Sequence, residues 1–431
     1  MPQIHITLEA RSPLLLGESP GVSNVQTSLA YVSGSVWRGA LANAVLGTLG
    51  LGGTSATLAT EEPAFAQLFA AASPARFGFL YPARKPWAEL TAATTLPLPL
   101  SVRMCKSDPG FREEPARGAH GVYDGTLSRL REAARGEAPH QRGDTLCPQC
   151  GIQRLERSRG SALRISAADE ARARYQTVQT GTRSFVRVGL SRFSETAQDQ
   201  ILYVLEALVS GSGGAHDELP LTFVGHWNGD ATQVAALHGL LQRYLIPDEA
   251  GGYRLRIGGA RARGMGQVVL RLAAAPDPAA AIAERLMALQ PMDAGQRLDP
   301  AHLYATLTLR SPLALLDPQG LPVTTAERIT PEVLRAYQLH VPNQCVVLAG
   351  YSIVEQEAWC GWSSAWGLPK PTQHAIAAGS VLVVRAPTQE QTALVDWLTT
   401  VARSGLGERQ AEGWGEVLVC DQFHLDHDQE A

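Results

Sequence analysis

Apolar and polar residues alternate over Ile4-His5-Ile6-Thr7-Leu8-Glu9-Ala10, a period of two that predicts a half-buried strand. The alternation returns at Leu303-Tyr304-Ala305-Thr306-Leu307-Thr308-Leu309. Both runs lead into one tetrapeptide, Arg11-Ser12-Pro13-Leu14 and Arg310-Ser311-Pro312-Leu313. Between them the pattern predicts a helix opening at Ser33 or Ser35, a hairpin over 176–190 and an amphipathic helix over 194–209 with Ile201, Leu202, Leu205 and Leu208 on one face. A strand over 219–224 and a helix over 230–245 follow. After the second alternating run come a strand at 380–385 and a helix at 388–404. Strand, helix, strand or hairpin, helix, strand is the order of a ferredoxin-like β-α-β-β-α-β unit.

Each half also carries a glycine-rich loop. Ile257-Gly258-Gly259-Ala260-Arg261-Ala262-Arg263-Gly264-Met265-Gly266-Gln267-Val268 lies between two strand-like runs, 253–257 and 267–272. No helix pattern follows Gly266, so the phosphate-cradling glycine loops that open a helix are a poor match. Glycine at 258, 259, 264 and 266 lets another backbone approach closely. Arg261 and Arg263, two apart, would on an extended segment point to one side and fork onto phosphate oxygens. The frame recurs as Gly407, Gly413, Gly415 and Val417, where Gln410 and Glu412 take the arginine positions. A duplicated α+β chain is therefore expected, with anion contact in the first loop and a mainly architectural second.

The expected boundaries are a first domain over 1–272 with an insertion at about 101–160, a linker with a helix over 273–300, and a second domain over 301–431. A length of 431 residues suits two domains, and 45% hydrophobic with 18% charged content describes a soluble globular chain. No apolar run is long enough to span a bilayer, and the first residues lack the basic start of a signal peptide, so a cytosolic protein without a membrane partner is expected. The net charge of -4 excludes indiscriminate coating of nucleic acid. Arginine is nevertheless concentrated between Gly151 and Arg192, at 154, 157, 159, 164, 172, 174, 183, 187 and 192, which predicts one localised anionic partner. Within it Arg183, Phe185 and Arg187 alternate along a strand, a cationic and aromatic set suited to phosphate contact and base stacking. The helix start at Gly34, Ser35 and Arg38 is a second candidate phosphate cradle.

Cys147-Pro148-Gln149-Cys150 has the C-x-x-C spacing that brings two thiolates to one tetrahedral Zn²⁺. Cys105 is the natural third ligand and His120 the fourth, with His140 as runner-up. The glycine-, proline- and charge-rich stretch between them would profit from a structural zinc. Cys345, Cys360 and Cys420 stand in apolar surroundings and read as small core residues.

In this order the motifs resemble the RAMP proteins of CRISPR effector complexes, most closely the Csx-type, Cas-five-like capping subunit of type III-D systems. The resemblance rests on Ser12-Pro13-Leu14, the Ser33-to-Gly39 turn, the Cys/His insertion with His120-Gly121-Val122-x-Asp124, the 258–266 loop and Ala375-to-Val381. It implies two tandem RAMP-type ferredoxin-like (RRM-like) domains with the zinc-stapled insertion in the first. It further implies a non-catalytic subunit that binds the repeat-derived 5′ handle of a CRISPR RNA and caps the filament of RAMP backbone subunits. The large polymerase-like subunit would lie alongside, and target RNA would be met only indirectly. Carried over, Gly34, Ser35, Arg38, Gly258, Gly259, Arg261, Arg263, Gly264 and Gly266 would line the RNA path, and the Arg183-to-Arg187 arm would form a thumb-like extension. The alternative is a metal-independent endoribonuclease of precursor RNA, for which His5, His120 or Tyr31 would have to supply acid and base. A weaker idea casts Asp124 as a metal-dependent cleaving carboxylate; a turn residue explains it better.

Overall fold

The computed structural model describes residues 3–17, 24–49, 61–71, 73, 75–91, 93–112, 118–140, 145–165, 173–190, 197–210, 219–338, 340–363 and 368–428. The chain forms a mixed α+β structure of several sheets. It divides into two compact units, each discontinuous in sequence: 1–95, 178–275 and 358–373 in one, 96–177, 276–357 and 374–431 in the other. The segment over 96–177, assigned from the sequence to the first domain, thus groups with the C-terminal half.

In the first unit strand Gln3–Ala10 is central. It pairs antiparallel with Gln267–Ala274 on one side and Thr222–Asn228 on the other, and Tyr253–Arg256 and Arg76–Phe77 extend the sheet outward. The expected half-buried strand is buried on both faces. Ile4, Ile6 and Leu8 join the core made with helices Gly34–Leu49 and Ala231–Tyr244, while Glu9 on the other face is neutralised by Arg271 at 3.0 Å and Arg11 at 2.9 Å. Helix Ala231–Tyr244 begins where its sequence dictates. Asp230 accepts from the N–H of Gln233 at 2.8 Å and the Gln233 side chain accepts from the N–H of Asp230 at 3.0 Å, a capping box that contributes about 1 kcal/mol.

The predicted helix over 194–209 is instead strand Ala197–Val209, and its expected neighbour pairing also differs. Strand Gly181–Leu190 pairs with it antiparallel, placing Phe185 opposite Leu205 and Arg187 opposite Tyr203, rather than with the preceding strand Arg174–Val178, which lies in another sheet. The apolar positions at 205 and 208 satisfy a helical spacing, but Tyr203, Leu205 and Ala207 satisfy a spacing of two and are the ones packed together.

In the second unit the sheet order is Val346–Val347, Val381–Pro387, His302–Leu309, Val417–Val419, all antiparallel. His302–Leu309 occupies the place that Gln3–Ala10 holds in the first unit, and Val417–Val419 that of Gln267–Ala274. Helices Pro331–Tyr337 and Gln391–Ser404 pack their Val333, Leu334, Leu394, Trp397, Leu398 and Val401 into its core. Helix Thr126–Arg135, stopped by Gly136 at φ 69°, adds Leu127, Leu130 and Ala133 to the same core. Among the described residues no helix is long and apolar enough to cross a membrane.

A candidate nucleic-acid interface and a candidate metal site

The glycine loop is shaped by the Arg-Ser-Pro-Leu segment. Arg11 N–H donates to the Gln267 carbonyl, Gln267 N–H to Ser12 Oγ, Gly266 N–H to the Pro13 carbonyl and Gly259 N–H to the Leu15 carbonyl, all at 2.8 to 2.9 Å. A Cβ at Gly258, where φ is +73°, would stand 2.4 Å from the Leu15 carbonyl oxygen. The close approach that requires glycine here is therefore made by the protein's own chain. The second copy repeats it donor for donor, from Arg310 to Glu416, Glu416 to Ser311 Oγ, Gly415 to Pro312 and Glu408 to Ala314, with Gly407 against Ala314.

Arg261–Arg263 forms a single 3-10 turn, not the extended segment expected. At about three residues per turn, side chains two apart diverge by roughly 120°, so the two guanidiniums take different surroundings. Arg263 is exposed and lies 5.2 Å over the Tyr203 ring. Arg261 is half-buried and borders a hollow of about 480 Å³ together with Gln26, Leu205, Ala260, Ala262 and Arg263. In the second loop the corresponding turn holds its cation internally: Arg409 stacks on Trp414 at 4.4 Å and pairs with Glu412 at 2.6 Å.

Strand Gly181–Leu190 completes the surface. Phe185 and Tyr203 pack around Leu15, Leu205 and Met265, so the hairpin and the glycine loop share one small apolar cluster. Arg183 and Arg187 are exposed on the strand face that carries Phe185, and Arg183 lies 5.6 Å from its ring. Arg183, Arg187, Arg261 and Arg263 form no ion pair among the described residues. Tyr203, between Arg187 and Arg263, is the member missed in the sequence because its segment read as a helix.

The wider arginine run is not one stripe. Arg157 and Arg159 pair with Glu355, and Arg164 with Asp421, in the second unit; Arg172 and Arg192 lie outside the described residues. Gly34 is buried at the start of helix Gly34–Leu49, with Ser35 Oγ 3.1 Å from Ser33 Oγ. Arg38 donates to the Phe69 carbonyl at 3.0 Å and lies over the Phe69 ring at 5.2 Å. Its guanidinium is occupied in holding the helix in place.

Cys105, His120, Cys147 and Cys150 converge from three strand and loop positions, with their ligand atoms all within 4.8 Å of one another. His120 Nδ1 is 3.2 Å from Cys105 Sγ and 3.6 Å from Cys147 Sγ. Ligands of a tetrahedral Zn²⁺ at about 2.0–2.3 Å stand roughly 3.5–3.8 Å apart, so the set fits a metal ion. The knuckle turn is closed by Cys147 N–H donating to the Gln153 carbonyl and Gly151 N–H to that of Cys147. The N–H groups of Gln153 and Ile152 hold the Cys150 thiol down to about 6, whereas burial raises that of Cys105. His140 is elsewhere, on Glu132 at 3.2 Å.

The sequence profile of the RAMP superfamily matches residues 7–269, well over half of the chain. The chain belongs to the RAMP superfamily. No curated protein sequence matches it. Solved structures similar to this RAMP protein include a chain of the type III-B Cmr-beta complex bound to cognate target RNA and AMPPnP, at 12% identity over 88% of this chain and 86% of that one, TM-score 0.37. A CRISPR-associated Cas6 protein matches at 9% identity over 96% and 98%, TM-score 0.30, and a Cas6 product complex at 13% over 97% and 100%, TM-score 0.29.

Two further groups of this RAMP protein carry acid-base side chains. His5 is buried with Nε2 3.1 Å from the Ala93 carbonyl and faces His226 across the sheet at 5.9 Å. Asp124, expected as a turn residue, is fully buried at the end of strand Val122–Asp124. It accepts from Thr126 N–H and Oγ and from His424 Nδ1, while His424 Nε2 lies 2.8 Å from Thr308 Oγ. Burial by itself would raise the Asp124 carboxyl; the charge and hydrogen bond of His424, with Ser101 and Thr126, hold it below the usual carboxylate range.

Proposed function

We propose that this RAMP-superfamily chain is a non-catalytic CRISPR RNA-binding subunit of a type III effector complex, of the III-D kind. In this reading it holds the repeat-derived 5′ handle, caps the filament of RAMP backbone subunits and stands beside the large polymerase-like subunit. The two antiparallel sheets, each with its helix pair, are read as ferredoxin-like units. The observation that carries the proposal is the strip of Arg183, Arg187, Arg261 and Arg263 around Phe185 and Tyr203, cations that form no ion pair among the described residues and lie beside aromatic faces. Guanidiniums supply sequence-independent affinity for phosphates, and aromatic rings accept unstacked bases of a single strand.

The Cys105, His120, Cys147 and Cys150 set is read as a structural zinc site. Four protein ligands complete a tetrahedron, and the ion would hold together a segment whose own cysteine cluster is small.

The test is RNA retention by the assembled complex. Arg183→Ala with Arg187→Ala and Arg263→Ala should lower affinity for single-stranded repeat RNA by at least tenfold and flatten its salt dependence by about two units. Unchanged retention would mean that the chain is held by proteins alone. Specific cleavage of repeat RNA in chelator, abolished by His5→Ala, would overturn the non-catalytic reading.

A further inference from the structure

Arg261 borders two hollows. Beyond the one it shares with Arg263 lies a larger groove of about 840 Å³, between helix Gly34–Leu49 and the outer strands of the first sheet. Its floor includes Ala44, Leu255 and Val268, and its rim carries Asn43, Arg256 and Arg261. Arg11 and Arg254 also line it, but their charges are engaged by Glu9 and Asp248. Arg256 is exposed and forms no ion pair among the described residues. Of the four arginines that line the groove, Arg256 and Arg261 are thus the two that form no ion pair among the described residues.

We infer that this groove receives one nucleotide of a bound single-stranded RNA, turned out of the stack, with its phosphate between Arg256 and Arg261. The inference rests on the RNA-binding reading above and adds a place where the strand leaves the hairpin surface. The volume lies within the range of small-ligand sites, about 300–1,000 Å³, and is ample for one nucleotide. The apolar floor suits a base face. Asn43 can offer both a donor and an acceptor to a base edge. The arginine rim suits a phosphate, which guanidinium forks bind bidentately.

The experiment uses the full chain and a fluorescein-labelled single-stranded RNA from the 5′ repeat end, titrated over a range of NaCl. Arg256→Ala and Asn43→Glu probe the groove, and Arg263→Ala probes the hairpin side; all three positions are exposed, and circular dichroism checks that each variant is folded. Arg256→Ala should weaken binding about tenfold and reduce the slope of log K against log salt by about 0.7. With 2-aminopurine placed at successive positions, one should brighten on binding to the native chain and stay dim with Asn43→Glu. Native binding by both groove variants, with Arg263→Ala weakened, would overturn the groove and leave the hairpin reading standing. Failure of the unaltered chain to bind the RNA would overturn both. Adenosine monophosphate competing at the same concentration as the RNA would make the groove a free-nucleotide site and overturn RNA as its occupant.

Discussion

Gly266 donates its backbone N–H to the Pro13 carbonyl at 2.9 Å, and 149 residues further on Gly415 makes the same bond to Pro312 at 2.8 Å. The duplicated Arg-Ser-Pro-Leu tetrapeptides and the duplicated glycine loops are thus two halves of one interlock, used once in each unit.

The interlock predicts which glycines resist substitution. A Cβ at Gly266 would lie 2.2 Å from the Ile257 carbonyl oxygen at a φ of +85°, whereas one at Gly264, φ +83°, meets nothing within 4 Å. Gly266→Ala should cost about 3 kcal/mol or more in urea denaturation and Gly264→Ala only the left-handed penalty of about 1–2 kcal/mol. Equal losses would show that close approach is not what fixes residue 266.

Metal analysis should return one tightly held ion per chain. Cys147→Ser should abolish it and lower the melting temperature, while His140→Ala should leave both unchanged, since His140 sits on Glu132 outside the cluster. A native metal content in Cys147→Ser would remove the site from consideration.

His427 predicts an acid-sensitive window. It is packed among Phe111, Tyr175 and Phe423, its Nε2 has no hydrogen-bond partner among the described residues, and burial pushes it from 6.5 down to about 4. A histidine depressed on folding binds its proton more readily when unfolded. Its stability contribution is therefore complete above pH 6.5 and is lost as pH falls towards 4, by up to about 3 kcal/mol. His427→Phe should flatten the stability profile between pH 6.5 and 4; a slope as steep as that of the native chain would rule this source out.

The Asp124 bridge predicts a structural and not a chemical phenotype. Asp124→Asn leaves His424 buried without its carboxylate and should cost on the order of 3 kcal/mol, while Thr308→Val, losing one neutral hydrogen bond, should cost about 1 kcal/mol. Both should leave RNA affinity per folded molecule intact, as read by titration of active fraction. Loss of affinity at full folding would place Asp124 in the binding machinery.

Local signals were legible in the sequence. The helix over 230–245 was expected where Ala231–Tyr244 forms, the glycine spacing announced both loops, and Cys105, His120, Cys147 and Cys150 were gathered from spacing and composition alone. What escaped depended on tertiary choice. Residues 197–209 carry apolar positions compatible with both periods, and the pairing with Gly181–Leu190 decided for strand. The 3-10 turn that parts Arg261 from Arg263 follows from the bonds to Pro13 and Leu15, which no local pattern encodes. The Asp124 and His424 contact spans 300 residues and has no sequence signature.

That separation has a consequence for biosynthesis. Asp421 holds Arg164, His424 holds Asp124, Asp426 holds Tyr175 and Asp428 holds Arg131. A ribosome that has made residues 96–177 must therefore translate some 250 more before these partners emerge. Until then the arginines, the buried aspartate and the aromatic faces of that segment are left open to chaperones, and any stall short of residue 421 yields a polypeptide that cannot close its second unit.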